Sequence, residues 1–163
     1  MLTMGDTAGA GLLMLCDGDF PPHYRHGRHP EDLVPCDRPI AAEHRQHEGG
    51  FGHLRLLWRV AWRLPGGQQY LSVTFVVDTG APLPFYLSAE TRRVFHAHGL
   101  LHTDDMENDF VVAFGRRYRV VDTPLGHEPG NILGLRVILD LGLRIVEGGF
   151  EFERMRGRPA IEP

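Results

Sequence analysis

The residue of this chain best placed for chemistry is Asp78, in Phe75-Val76-Val77-Asp78-Thr79-Gly80-Ala81, where an apolar run ends just ahead of a glycine. A strand stopping in a tight turn leaves such a carboxylate at the rim of a sheet, within reach of water and of a substrate. One way for carboxylates to activate water against a carbonyl is as a pair about 3 Å apart sharing one proton, one as general base and the other as general acid. The chain offers one Asp-Thr-Gly. A second run, Asp122-Thr123-Pro124, lacks the glycine, and its proline fixes φ and removes an N–H. A symmetric homodimer supplies the partner, because a two-fold axis brings Asp78 of both copies face to face.

The elements that must hold this turn are legible around it. Residues 54–63 and 69–77 are rich in aromatic and branched side chains and flank Pro65-Gly66-Gly67, which predicts a β-hairpin delivering Asp78. Gly80 is expected to adopt backbone angles that a side chain would forbid, and Ala81 is small enough to leave substrate room beside the carboxylate. Farther on, Asn131-Ile132-Leu133-Gly134 runs into Leu135-Arg136-Val137-Ile138-Leu139-Asp140-Leu141, a buried strand followed by a short helix. Ile132 and Leu133 are expected to pack behind the loop, and Gly134 to let two backbones approach closely.

With these two motifs in this order, residues 53–153 resemble a subunit of a retropepsin-like (retroviral-type) aspartic protease. The resemblance implies a mostly β, acid-protease half-barrel with one or two short helices, preceded by an irregular N-terminal arm. It also implies an aspartic endopeptidase active as a homodimer, hydrolysing peptide bonds with water activated by Asp78 of both copies, without cofactor or metal. Thr79 would then bond across the dimer axis to the partner's backbone. Gly134 is followed by Leu135, where viral members place arginine, so the likeness is nearer to the cellular and bacterial branch. The terminal hairpin, 143–153, alternates apolar and charged residues around Gly148-Gly149 and is expected either to interleave between subunits or to complete its own sheet.

The middle of the chain departs from that pattern. No glycine-rich flap is recognisable; residues 88–99 read instead as a helix with Ser88 as N-cap and Gly99 as stop. The acidic stretch Thr103-Asp104-Asp105-Met106-Glu107-Asn108-Asp109 then serves as a minimal lid or leaves the cleft open. Pro82 and Pro84 follow the loop, where proline gives no N–H to a ladder. An absent flap favours the alternative function, a non-catalytic retropepsin-fold dimerisation or peptide-binding module.

The remainder bounds the answer more loosely. At 163 residues with 42% hydrophobic and 23% charged content, the chain suits one globular domain. A net charge of -4 argues against nucleic acid as a partner. No apolar run approaches the eighteen or so residues of a membrane span, and residues 1–15 lack the basic start of a signal peptide, so the expectation is a cytoplasmic protein. Residues 1–52 read as an irregular arm or pro-segment, with 43–50 as a linker, and residues 154–163 as a frayed tail. Cys16, His23, His26, His29 and Cys36 are ligand types for zinc, but their spacing matches no compact site, and free thiols are expected. His96, His98, His102 and His127 read as surface or helix-face residues.

Overall fold

The computed structural model describes residue 15 and residues 17–49, 52–127 and 130–163. Cys16 and the apolar residues 11–14 lie outside them. In chain order the elements are β1 (Glu43–Glu48), β2 (Leu54–Arg63), β3 (Tyr70–Asp78), β4 (Phe85–Leu87), α1 (Ala89–Ala97), β5 (Leu101–Thr103) and β6 (Asp109–Ala113). These are followed by β7 (Arg116–Asp122), β8 (Asn131–Gly134), α2 (Leu135–Leu141), β9 (Leu143–Val146) and β10 (Gly149–Phe152). The protein is mostly β. Eight strands form one open mixed sheet in the order β1-β2-β3-β8-β4-β7-β6-β5, and β9 pairs with β10 alone.

The expected hairpin is β2–β3, antiparallel from Leu56↔Val77 to Arg63↔Tyr70. Its alternating side chains have two faces to cover. On one, Trp58, Trp62 and Phe75 are fully buried with Phe85 and Phe95, and the Trp62 ring lies 5.7 Å from Phe85 and 5.1 Å from Phe95. Edge-on aromatic contacts of this kind add to the burial term that holds the core. On the other face, Leu57 and Val76 join Ile132 and Ala81 under Leu15, Phe20 and Tyr24 of the arm. The arm is therefore one wall of a second, smaller core.

The helix expected over 88–99 is α1. The Ser88 hydroxyl accepts from the Thr91 N–H at 3.2 Å, Phe95 is buried, and Gly99 takes φ +71° at the stop. The acidic stretch closes the β5–β6 hairpin, where Asp104 Oδ1 accepts from the N–H groups of Met106 and Asn108. Between that hairpin and β3 the sheet interposes β8, β4 and β7.

Two segments differ from expectation. The run 43–50, read as a linker, forms β1 over Glu43–Glu48, paired antiparallel to β2 along the sheet edge. Its side chains are polar because an edge strand needs only its backbone satisfied, and one face meets solvent. The segment 154–163, read as a frayed tail, is anchored: Ile161 is fully buried, its N–H donates to the Ala61 carbonyl, and its own carbonyl accepts from Arg63. Among the described residues no helix is long and apolar enough to cross a membrane.

Candidate active site

Asp78 is the last residue of β3, and its Cα stands opposite Gly134 of β8. The chain then turns sharply. Gly80 N–H donates to Asp78 Oδ1 at 2.8 Å, and Ala81 N–H donates to the Asp78 carbonyl at 3.2 Å. Asp78 is half-buried while Thr79 and Gly80 are exposed. Its carboxylate is held by a backbone amide, and among the described residues no arginine or histidine neutralises it.

Gly80 has a different use from the one expected. Its φ lies outside the left-handed region; instead a Cβ there would stand 3.2 Å from Asp78 Oδ1. Ala81 also differs. Rather than facing open space beside the carboxylate, its side chain is only 8% exposed and packs with Val76 and Ile132.

The loop is clamped from behind by the second motif. β8 lies between β3 and β4, parallel to the first and antiparallel to the second. Gly134 N–H donates to the Pro84 carbonyl at 2.9 Å, and Leu135 N–H donates to the Ala81 carbonyl at 2.8 Å. A Cβ on Gly134 would stand 1.8 Å from the Leu83 oxygen, so only glycine permits this approach. Ile132 and Leu133 point to opposite faces of β8, Ile132 into the cluster with Ala81 and Leu133 into the main core. Pro82 and Pro84 fall in the loop outside any strand and take no donor from a ladder.

Behind this construction sits a polar network that the sequence reading missed. Asp32 is 1% exposed; it accepts from Arg59 Nε at 2.8 Å and from the Thr74 hydroxyl at 2.6 Å. Arg59 Nη1 also donates to Glu43 at 3.1 Å. Burial works against the Arg59 charge, yet the hydrogen bonds and fields of Asp32 and Glu43 hold its pKa above the ordinary value. Burial raises the Tyr24 phenol, against a lowering hydrogen bond with Thr74. The available signal was Arg59 itself: an arginine within Leu56-Leu57-Trp58-Arg59-Val60-Ala61-Trp62 requires a buried acid.

Asp122 and Asp78 are kept apart. β4 begins beside the loop at Phe85, and its far end, Leu87, pairs with Asp122, which is held by Arg92 at 3.1 Å. Of the candidate zinc ligands, His23 and His29 stack edge to face with Tyr24, and Cys36 Sγ donates to the Arg38 carbonyl at 3.1 Å. Among the described residues no group of three His, Cys, Asp or Glu side chains is gathered to hold a metal. His102 stacks on Phe110. Clefts lined by described residues lie under the arm at Asp17–Gly18 and His47, beside Gly66 and His98, at Asp104 and Arg117, and around Cys36; residues 78–81 line none of these four. Comparison of the chain with family models, with curated proteins and with solved structures returns no match.

Proposed function

We propose that the protein is a retropepsin-like aspartic endopeptidase whose active form is a homodimer, with its half-barrel contributing Asp78 from each copy to one site. What supports this reading above all is an Asp-Thr-Gly turn at the end of β3, exposed at Thr79 and Gly80, clamped through Gly134 and bearing a carboxylate that no arginine or histidine among the described residues neutralises. Within one subunit Asp122 is held away at Arg92, and the four clefts named above leave Asp78 out.

In the dimer, the ionised Asp78 takes a proton from water as the oxygen attacks the scissile carbonyl. The protonated Asp78 of the second copy donates to the carbonyl oxygen, so the charge developing there is met by a hydrogen bond. The two carboxyls share one proton, so the pH dependence of cleavage belongs to the pair and not to either copy. Thr79 is exposed at the same turn, where its hydroxyl can reach across the axis. Activity falls on dilution below the dimer dissociation constant.

Asp78→Asn is the decisive variant. Its side-chain oxygen still accepts from Gly80 N–H, so the fold persists, but it cannot ionise. Cleavage of a peptide library from about pH 3 to pH 7 is expected to be abolished, and unchanged turnover would refute the enzyme reading. The second reading, a non-catalytic dimerisation or peptide-binding module of the same fold, is favoured by one observation: the turn following α1 and β5 is short, acidic and fixed by Asp104, unlike a glycine-rich lid. Wild-type dimer that leaves the whole library intact selects this reading.

A further inference from the structure

The three nitrogens of Arg59 meet three carboxylates unequally. Nε and Nη1 hydrogen-bond to Asp32 and Glu43, whereas Nη2 is buried without a hydrogen bond and has Glu31 Oε2 at 3.5 Å. A guanidinium has five N–H donors in a fixed fork, so Nη2 presents protons with no acceptor. The Glu31 side chain is 75% exposed. An ion pair held that loosely contributes little and is readily exchanged. Glu31 thus occupies the place of an acceptor without satisfying it.

Arg59 and Glu31 both line a cleft of about 450 Å³. Its apolar walls are Pro30, Val34, Pro35 and Ile40, with Val34 58% exposed. That volume and a mostly apolar surface with a few polar side chains, Glu31, Arg38, Arg59 and Ser72, suit a small ligand. The charges also fit. With Glu31 turned outward, Asp32 and Glu43 face Arg59, while Arg38 in the wall and Arg45, 3.8 Å from Glu43, add positive charge that an incoming anion balances.

We propose that this cleft binds a small monocarboxylate carrying a short apolar chain, its carboxylate accepting from Arg59 Nη2 in place of Glu31 and its chain lying along Val34, Pro35 and Ile40. Planar guanidinium and carboxylate match in shape as well as charge. Nothing in the assignment depends on Asp78.

The test is calorimetric titration of the full chain with hexanoate, with hexanamide and acetate as parallel probes. Hexanoate is expected to saturate one site, and the other two to bind at least about tenfold more weakly, one lacking the charge and the other the chain. Glu31→Gln removes the internal competitor and is expected to tighten hexanoate roughly two- to fivefold. Val34→Asp sets a like charge at the mouth and is expected to weaken it by about tenfold or more. Arg59 is left in place because it holds Asp32 in the fold; Asp78→Asn is expected to bind hexanoate unchanged. Absence of saturable binding, equal affinity for hexanamide, or no tightening in Glu31→Gln would overturn the proposal.

Discussion

Replacing Gly134 with alanine strikes the contact on which the Asp78 loop rests. The new Cβ would stand 1.8 Å from the Leu83 oxygen and 2.7 Å from the Ala81 oxygen, where ordinary contact begins at 3.4 Å. Both obstacles are backbone, so relief means moving residues 81–84 off β8. That motion breaks the hydrogen bonds from Gly134 to Pro84 and from Leu135 to Ala81. Each is worth about 1 kcal/mol, and forced overpacking adds about 1–3 kcal/mol. The total is about 3–5 kcal/mol. With a urea slope of about 2 kcal/mol per molar, the unfolding midpoint should fall by about 2 M. Gly149→Ala is the matched control, since its Cβ would find only the His44 oxygen, at 3.9 Å, and its φ lies outside the left-handed region. A control shift below about 0.5 M is expected. Equal midpoint shifts in the two variants would refute the close approach of β8 to the loop.

Three further outcomes follow from the packing and the charges. Ile161→Ala should destabilise by about 2–5 kcal/mol in urea unfolding, because the side chain is fully buried; a neutral result would restore the frayed tail. Asp32→Ala should lose about 3–5 kcal/mol by leaving the Arg59 charge buried without its principal partner, again read from the urea midpoint. Burial holds the His44 imidazole below its ordinary pKa, with Glu151 pulling the other way. The folded state therefore stays neutral where the unfolded chain takes a proton. His44's contribution is complete above about pH 6.5 and is lost as pH falls below it, with a slope of at most about 1.4 kcal/mol per pH unit, reduced by solvent reaching a half-buried ring. His44→Phe should flatten the dependence of the urea midpoint between about pH 7 and pH 5, and an unchanged dependence would remove His44 as its source.

Local features were legible in the sequence. Pro65-Gly66-Gly67 marked the β2–β3 turn, Ser88 and Gly99 bracketed α1, and Asn131-Ile132-Leu133-Gly134 announced a buried strand running into α2. Each announces itself through nearest neighbours in the chain. The insertion of β8 between β3 and β4 was not visible in periodicity, because parallel pairing joins residues far apart and leaves no local pattern. β1 was hidden for the opposite reason: Glu43-His44-Arg45-Gln46-His47-Glu48 has no apolar alternation, as an edge strand can be recruited through its backbone alone. The anchored end was hidden because its ties, from Ile161 to Ala61 and Arg63 and from Glu162 to Phe114 and Arg63, all run to residues far away in the chain. At the site, residue identities were readable but orientations were not. Ala81 faces inward and Gly80 serves a contact rather than a left-handed turn, distinctions that depend on the path of the loop.

The arm's place in the second core bears on maturation. Leu15, Phe20 and Tyr24 close over Leu57, Val76 and Ile132, and Asp32 neutralises the one arginine in the middle of β2. Cutting the polypeptide ahead of β2 and discarding the front portion would uncover that greasy surface and take both Asp32 and Glu43 away from Arg59. Any activation by trimming must therefore keep those leading residues bound after the cut, as a nicked but undivided particle.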